Sequence, residues 1–375
     1  MNFELNEEQT LLKGSAQRLL TDRYSFEARR KAGRGPLGWS REAWSLLADQ
    51  GFLAAPFAEV DGGLDGGPVE SLILAEAFGG RLLAEPYLAT VVLAGAALRL
   101  CDRADLRAIL VPEIAAGALL LAFADDEPGA LTGGGAVNTL AHQAGDGWTI
   151  SGVKTDVLHG DCADRLVVTA RAEGSLAVFL VDAAASGLSR RSYRTFDGLQ
   201  AAEFTLDGVR APELLAIGPV AEDLVERVRQ HAIAYMAGEA VGLMAMLLDA
   251  SVEHLKARRQ FGQSLSGFQA LKHRCAEMLV ALEQARSMAI YAHLMLAEPD
   301  PVERAKAFAA VKSVIGAAGV AVGHAAVQLH GGLGVSEEHR VGWALRRLVM
   351  IDMTFGDGER WAGELARLGG FVASA

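Results

Sequence analysis

A single uninterrupted helical pattern over residues 222–259 constrains the fold of this chain more than any other stretch. Its apolar side chains recur at helical spacing and form one continuous stripe: Leu224, Val228, Ile233, Met236, Val241, Met244, Leu248, Val252 and Leu255. An average globular helix has only about a dozen residues, so a stripe this long needs long partner helices to cover it. The pattern predicts an antiparallel four-helix bundle with packing of the kind found in tetramers.

The partner helices follow directly in the sequence. Residues 268–297 form the second predicted helix, and a final helix is predicted after Glu337. The third begins at Asp300-Pro301-Val302-Glu303, where Asp300 suits the N-cap, Pro301 the first turn and Glu303 the closing position of a capping box. We therefore expect residues 217–375 to form one helical domain.

The junction between the first two of these helices carries a basic cluster with two interpretations. Gly262 suits the position just after a helix end, where cations such as Lys256, Arg258 and Arg259 complement the helix dipole. Alternatively, Arg258 faces a phosphate group, because a guanidinium presents planar donors that match phosphate oxygens. The residues by themselves leave both interpretations open.

The sequence before this bundle divides into two stretches of different texture. Residues 1–118 carry helix starts at Asn6 with Gln9, at Ser40 and at Pro68, and helices are expected through Ile114 with breaks at Pro86 and Pro112. Residues 119–216 instead carry short apolar or alternating runs separated by Gly, Asp and Ser, at 119–123, 148–150, 165–169, 176–181 and 202–206. They predict a small antiparallel β domain between two helical domains, so the fold class is mostly α with a middle β domain.

Charge and composition exclude several classes of partner. The formal net charge of -11 argues against a nucleic-acid partner, and an anionic ligand would have to be bound by local donors. No apolar run is free of polar interruptions over transmembrane length, so we expect no membrane span and read the apolar stretch 313–329 as a buried bundle helix. Residues 1–4 lack a basic then apolar signal, and the three cysteines are expected to be reduced thiols, which favours a cytoplasmic location.

Common catalytic and metal motifs are absent from the sequence. No Gly-x-Ser-x-Gly elbow and no Gly-x-Gly-x-x-Gly after a strand is present, which argues against an acyl hydrolase and a Rossmann nicotinamide site. The nine histidines and three cysteines show no metal-ligand spacing; Glu253 and His254, for example, lack a second His at i+4. No metal site is therefore predicted.

Two motifs instead resemble the flavin signature of the acyl-CoA dehydrogenase family. The first is Arg258-Arg259-Gln260-Phe261-Gly262 with Phe268-Gln269 after it, and the second is Gln328-Leu329-His330-Gly331-Gly332-Leu333-Gly334 with Arg346-Arg347 after it. The pair at this separation is specific, whereas either motif alone is weak. The wider pattern, including Glu85-Pro86-Tyr87-Leu88-Ala89-Thr90 and Phe355-Gly356-Asp357, extends the resemblance over nearly the whole chain.

The resemblance implies an FAD cofactor bound at a subunit interface. Arg258 and Phe261 are then expected at the FAD pyrophosphate, and Gln260 is a further candidate FAD contact. Gln269, Gln328, Gly331 and Gly332 are expected to contact FAD between neighbouring subunits. Glycine suits this role because only glycine lets the backbone come close to a ligand. Packing and an interhelical turn are the alternative roles for the glycine motif.

Three positions of the β domain depart from the family pattern for the flavin ring. Asp126 stands where the family has a threonine of a Thr-Glu-Pro motif, and Asp156 and Leu158 stand where it has Trp-x-Thr. These three residues are the candidate flavin contacts in this chain, and the departures predict an unusual flavin pocket.

The chemistry implied by the resemblance is α,β-dehydrogenation of an acyl-CoA thioester. A glutamate base is expected at one of two places, of which the first, counted from Gln328 without a gap, falls on Phe355. A shift of two residues brings Asp357 there, while the second place holds Ala232. Asp357 is therefore the candidate catalytic base, and capping of the last helix is its alternative role.

Two hypotheses of different class follow. In the first, the chain is an FAD-dependent acyl-CoA dehydrogenase. One version of this hypothesis makes it the small subunit of a heteromeric enzyme. It would form a homo- or hetero-oligomer, expected to be a tetramer, and pass electrons to electron-transfer flavoprotein. In the second, the chain is a non-catalytic subunit that completes the FAD site of a partner dehydrogenase. The sequence feature that distinguishes the two hypotheses is the absence of the glutamate expected as catalytic base.

Overall fold

The computed structural model describes residues 5–129, 135–145 and 147–370. Two compact units divide the chain: a helical unit of Met1–Arg29, Pro68–Leu83 and Ile233–Ala375, and a sheet unit of Arg30–Gly67 and Ala84–Ala232. The N-terminal stretch 1–4, in which no targeting signal is predicted, lies outside the described residues. The three-domain division at 118/119 and 216/217 stays a prediction.

Helices fill most of both ends of the chain, and strands fill most of its middle. The α-helices are α1 (Glu7–Arg23), α2 (Phe26–Gly33), α3 (Arg41–Asp49), α4 (Pro68–Gly79), α5 (Gly95–Leu100), α6 (Ala104–Ala115), α7 (Pro219–Ala257), α8 (Gln269–Met295), α9 (Pro301–His330), α10 (Arg340–Met353) and α11 (Gly358–Arg367). The strands are β1 (Leu121–Ala124), β2 (Leu140–Ala144), β3 (Gly147–Leu158), β4 (Arg165–Ala172), β5 (Ser175–Asp182), β6 (Leu188–Arg194), β7 (Gln200–Ala211), β8 (Glu213–Ile217), β9 (Arg259–Gln260) and β10 (Gln263–Ser264). A π-helix, Leu88–Ala94, leads into α5.

The helical unit is a bundle in which α8, α10 and α11 pack against α9. Its start signals are readable in the sequence, since Asn6 and Gln9 exchange both hydrogen bonds of a capping box. At α9 the cap is simpler than predicted. Asp300 accepts from the backbone N–H of Val302, but its own N–H donates to Glu298, so Glu303 does not close a box. Local signals therefore place the start of the helix correctly while misassigning one partner.

Helices α4 and α7 lie in backbone contact within the helical unit. A Cβ placed on Gly79 would lie 2.1 Å from the carbonyl oxygen of Glu239, and one on Gly242 would lie 2.1 Å from that of Glu76. Both glycines are therefore required by the close approach of the two helices. The buried Glu239 carboxylate also pairs with Arg347, and this ion pair ties α10 to α7.

The end of α7 and the region after α10 differ from the prediction. α7 ends at Ala257, and β9 pairs with β10 in a two-residue hairpin whose turn residues, Phe261 and Gly262, have φ of 55° and 79°. Gly262 is therefore a hairpin-turn residue of the type I′ kind, and its predicted role at a helix end is wrong. The single final helix is in fact two, α10 and α11, and Pro112 lies inside α6.

The sheet unit is built on one mixed sheet with strand order β6-β7-β3-β2-β4-β5-β8, and β1 pairs with β4. The pairs β1·β4 and β2·β4 are parallel, so the predicted purely antiparallel sheet is wrong in this respect. Strands β2, β6 and β8 were not predicted. β6, with the sequence LSRRSYR, is largely exposed, so it carries no apolar alternation to signal it.

Two helices, α7 and α9, are long and apolar enough by composition to cross a membrane. No such segment was expected from the sequence. Within the fold, 83% of the apolar window of α7 and 56% of that in α9 are buried. A buried core helix passes the same length and composition test, so this observation is weak evidence for a membrane span.

Candidate functional site

The hairpin after α7 presents the first motif to solvent. The backbone of Arg258 is held on both sides, because its N–H donates to His254 O at 2.8 Å and its carbonyl accepts from Leu265 N at 2.9 Å. Its guanidinium is exposed, as is Gln260. Phe261 is 86% exposed at the hairpin turn and packs edge-on against Phe268, with ring centroids 6.0 Å apart. A cation, an amide and an aromatic ring are thus displayed together on a fixed turn.

The glycine motif lies at the end of α9 and is equally open. Gln328 is exposed on the last turn, and Gly331 adopts φ 58° and ψ -135°, a conformation available chiefly to glycine. A Cβ placed on Gly331 or Gly332 would have no heavy atom within 4 Å. The backbone at this point is therefore free to approach a ligand.

Histidine rings bring the two motifs beside each other. His254, one turn before Arg258, stacks on His330 with ring centroids 4.6 Å apart, and His330 also lies 5.0 Å from His339 at the start of α10. Burial, together with the neighbouring His330, lowers the pKa of both His254 and His339. The ring contacts therefore show that the ends of α7 and α9 meet at one place.

The candidate base lies in the turn between α10 and α11. Asp357 is exposed, and its carboxylate caps α11 by accepting from Arg360 N at 2.9 Å. The base position counted without a gap holds Phe355, which has φ 62°, is 8% exposed and accepts from Trp361 Nε1 at 2.9 Å through its carbonyl. The structure thus shows Asp357 as a helix cap; its role as base stays a prediction.

Lys312 holds the C-terminal end of α10, just before this turn. It was not predicted from the sequence as a site residue. Its buried ammonium donates to the carbonyls of Ile351 and Asp352, both at 2.7 Å. Burial lowers the pKa of Lys312 to about 7. A cation suits the carbonyl end of a helix, so Lys312 fixes where α10 stops and where the Phe355 turn begins.

A buried polar network in the sheet unit supports the loop after β1. Glu127 accepts from the backbone N–H of Asn138 at 2.7 Å and of Thr139 at 3.1 Å, and from Lys154 Nζ at 2.7 Å. Lys154 is fully buried and also donates to Thr169 Oγ1 at 2.9 Å. Burial alone would raise the pKa of Glu127, but the hydrogen bond and charge of Lys154 outweigh it and lower that pKa. The carboxylate is therefore fully used in holding the loop.

Asp125 adds a second ion pair to the same network. Its carboxylate accepts from Arg229 Nη2 at 2.5 Å and Nε at 3.0 Å, and Arg229 lies in the first turns of α7. Sequence reasoning missed Lys154, Thr169, Asp125 and Arg229 as partners. The only hint in the sequence was a single polar residue within an otherwise apolar strand. Such a residue does not reveal which side chain it will bond to in the fold.

The three residues predicted to contact the flavin ring are each bonded or paired to other residues of the sheet unit. Asp126 accepts through its carbonyl from Thr155 N at 2.9 Å. Asp156, at φ 52° in a bulge of β3, donates its N–H to Tyr193 Oη at 3.1 Å and accepts from the same hydroxyl at 2.7 Å. Burial raises the pKa of the Tyr193 hydroxyl, and the hydrogen bond with Asp156 raises it further. Leu158 pairs with Ala201 and offers no side-chain donor. Asp156 lines an open hollow of about 410 Å³.

Comparison with known proteins agrees with the architecture. The family model of the acyl-CoA dehydrogenase C-terminal domain matches residues 225–367. The chain is 26% identical to the probable acyl-CoA dehydrogenase YngJ of Bacillus subtilis (strain 168), over 96% of this chain and 97% of that protein. It is 27% identical to acyl-CoA dehydrogenase FadE27 of Mycobacterium tuberculosis (strain ATCC 25618 / H37Rv), over 91% of both. The chain is therefore similar over nearly its whole length to acyl-CoA dehydrogenases.

Solved structures confirm the fold of this chain. The structure of a Tcur3481-Tcur3483 steroid acyl-CoA dehydrogenase variant superposes with a TM-score of 0.87 at 28% identity, covering 96% of this chain and 97% of that one. The ChsE4-ChsE5 complex of Mycobacterium tuberculosis gives 0.89 at 24% identity with full coverage of both chains, which supports the fold alone. The predicted helical, β and helical-bundle architecture is therefore confirmed.

The resemblance to acyl-CoA dehydrogenases implies FAD, and the two units of this chain fit that cofactor differently. In the helical unit, Arg258 offers a planar cation for a pyrophosphate, and Gln260, Gln269 and Gln328 offer exposed amides beside the open Gly331-Gly332 backbone. These residues fit the nucleotide part of FAD. In the sheet unit, two carboxylates and a leucine stand at the three positions predicted to contact the flavin ring, whose oxygens need donors. Those positions do not fit the ring.

Proposed function

We propose that this chain is a subunit of a flavin-dependent enzyme that removes hydrogen from the α and β carbons of an acyl-CoA thioester. Within the assembly it supplies the nucleotide-binding half of an FAD site and no catalytic base. The turn between α10 and α11 carries this proposal. There Phe355, at the predicted base position, is buried, and the neighbouring Asp357 caps a helix.

The loops of the sheet unit also support the proposal that this chain supplies only the nucleotide-binding half of the FAD site. The side chains at positions 126 and 156 are acceptors, and the N–H groups of Thr155 and Asp156 already have partners. A reduced flavin gains negative charge, which carboxylates next to the ring would disfavour. A complete flavin site in this chain would thus have to be built from groups that are already used.

The residues of the helical unit have a defined role in the proposed assembly. Arg258 pairs with the FAD pyrophosphate, Phe261 packs on the nucleotide, and Gln328 with the glycine backbone contacts it from the end of α9. Bound FAD supplies the hydride acceptor. The residues of this chain bind and orient the nucleotide, and the partner provides the carboxylate that takes the α-proton.

Named relatives support an assembly of more than one chain. One solved structure with this fold is a complex of two proteins, ChsE4 and ChsE5. CarC of Acetobacterium woodii, 26% identical over 80% of this chain, is a subunit of a caffeyl-CoA reductase-Etf complex. We therefore propose a heteromeric, tetrameric assembly with electron-transfer flavoprotein as electron acceptor, and a cytoplasmic location.

The acyl group is proposed from motif resemblance alone. The stretches 85–90 and 355–357 look most similar to the small subunit of pimeloyl-CoA dehydrogenase. A dicarboxylic acyl-CoA is accordingly the proposed substrate class of the assembled enzyme. Mixing the assembled enzyme anaerobically with monocarboxylic and dicarboxylic acyl-CoAs of matched length tests this, because the preferred class bleaches the flavin absorbance faster.

The proposal of a subunit without a base is tested by recovering the assembly. A tagged copy of the chain is purified from its source cells, and the recovered partner is then expressed with and without it. We expect acyl-CoA oxidation and bound FAD only when both chains are present. Oxidation of an acyl-CoA by this chain alone would instead establish the first hypothesis, in which the chain is itself the enzyme.

A further inference from the structure

The turn that follows β3 gathers three metal-binding side chains of different chemistry. A ring nitrogen of His159, a carboxylate oxygen of Asp161 and the sulfur of Cys162 all lie within 4.8 Å of one another. His159 is buried, and the other two are half-buried. The cluster lies in the sheet unit and includes none of the residues assigned above to FAD.

Contacts to backbone carbonyls fix the course of this turn and hold the Cys162 thiol without any added ligand. The N–H and the Sγ–H of Cys162 both donate to the carbonyl of His159 at 3.3 Å. Arg190 clamps the turn from β6 by donating to the carbonyls of Asp161 at 2.5 Å and Ala163 at 2.9 Å. The geometry is therefore preorganised, which lowers the cost of binding a ligand.

The carboxylate of Asp161 gives an independent sign that a group belongs here. Its Oδ1 atom is buried and has no hydrogen-bond partner in the part of the chain that the structure describes. A buried acceptor without a partner is costly, and such groups are rare in folded proteins. A cation at this point would satisfy it, since Arg190 uses its two described hydrogen bonds on backbone carbonyls.

The donor set selects the metal. Magnesium and calcium prefer oxygen ligands, whereas a combination of thiolate, imidazole and carboxylate is typical of zinc. Ligand atoms around tetrahedral zinc lie roughly 3.5 Å apart, so side-chain rotations closing the cluster by about 1 Å are enough. We propose that His159, Asp161 and Cys162 bind one zinc ion, with a water molecule at the fourth position.

Zinc binding would give this turn a structural function. The ion would link three side chains of the turn between β3 and β4, and it would fix the course of the chain directly after β3. Cys162 would lose its thiol proton when it binds the ion.

The experiment is a titration of the metal-stripped full-length protein with Co²⁺, a spectroscopic substitute for zinc. We expect one ion per chain, a near-ultraviolet sulfur-to-cobalt charge-transfer band, and displacement of cobalt by zinc. Cys162→Ser should remove the band and weaken zinc binding by at least about a hundredfold, the upper end of the loss caused by changing an outer-shell partner. Cys275→Ser, which alters a half-buried cysteine of α8, is the matched control and should keep both.

Asp161→Asn provides a second variant in case Cys162→Ser does not fold. It should keep the charge-transfer band, because the sulfur ligand remains, while weakening zinc affinity and abolishing the zinc-dependent rise in thermal stability. The proposal is overturned if the wild-type protein gives no charge-transfer band. It is equally overturned if the band survives Cys162→Ser, disappears in Cys275→Ser, or if Asp161→Asn leaves zinc affinity unchanged.

Discussion

Asp357 Oδ1 accepts a hydrogen bond from the backbone N–H of Arg360 at 2.9 Å, three residues further along the chain. This contact makes Asp357 the N-cap of α11. Two residues before it, Phe355 turns into the fold with φ 62° and is 8% exposed. The turn in which the resemblance predicts a base therefore presents a buried aromatic ring and a carboxylate engaged in a helix start.

Asp357→Asn and Asp357→Ala separate the capping role from a catalytic role. Asparagine caps helices as well as aspartate does, so Asp357→Asn should leave the free energy of unfolding nearly unchanged, whereas Asp357→Ala should lower it by about 1 kcal/mol. Urea denaturation of the two variants measures this difference. In the assembled enzyme, Asp357→Asn should retain acyl-CoA oxidation. A fall of several orders of magnitude with normal flavin content would identify Asp357 as the base.

Arg258→Ala should weaken FAD binding by the assembled enzyme about ten- to a hundredfold, because it removes a charge-assisted contact to a phosphate. Flavin retained after dialysis measures the loss, and circular dichroism confirms that the helices remain. Arg259→Ala is the control, since Arg259 is the neighbouring exposed arginine on β9. Equal flavin retention in the two variants would show that Arg258 only stabilises the end of α7.

The buried pair between Arg347 and Glu239 should dominate the stability of the contact between α10 and α7. Arg347 donates to the two carboxylate oxygens at 2.6 and 2.8 Å, and each side chain is 7% exposed. Arg347→Met leaves a buried carboxylate unpaired and should cost about 3–5 kcal/mol, while adding Glu239→Leu should recover most of that loss. Denaturation of the single and double variants tests this. Glu364→Ala, which breaks an exposed pair, should change little.

His293 should make the helical unit sensitive to acid. Burial lowers its pKa to about 4 from an ordinary 6.5, so the folded protein keeps the ring neutral while the unfolded chain binds a proton below pH 6.5. Stability is then lost as the pH falls through this window, by about 2 kcal/mol between roughly pH 7.5 and 5. Urea denaturation at both values, with His293→Leu as the variant that lacks this dependence, measures the effect. An equal pH dependence in the variant would contradict the assignment.

Features set by neighbouring residues in the sequence were predictable. The cap of α1 at Asn6, the proline start of α4 at Pro68 and the apolar stripe of α7 all depend on contacts within a few turns of the chain. The two motifs resemble those of acyl-CoA dehydrogenases, which agrees with the proteins to which this chain is similar. Their spatial proximity, through the His254–His330 stack, depends on how α7 and α9 pack and was not predictable from either motif.

Features set by tertiary contacts were missed. Lys154 reads as one polar residue in a strand, but its charge is stabilised by Glu127, far away in the sequence. The exposed strand β6 lacks an apolar pattern because only its pairing with β7 defines it. The hairpin at Gly262 was mistaken for a helix end because a glycine with positive φ suits both structures.

The most direct test of the proposed role is the flavin content of this chain purified alone in the presence of added FAD. The visible absorbance spectrum after removal of free FAD reports how much flavin each chain retains. We predict a colourless protein that gains flavin only together with a partner subunit. A yellow protein that holds one FAD per chain, and whose flavin is bleached anaerobically by an acyl-CoA, would contradict the proposed role.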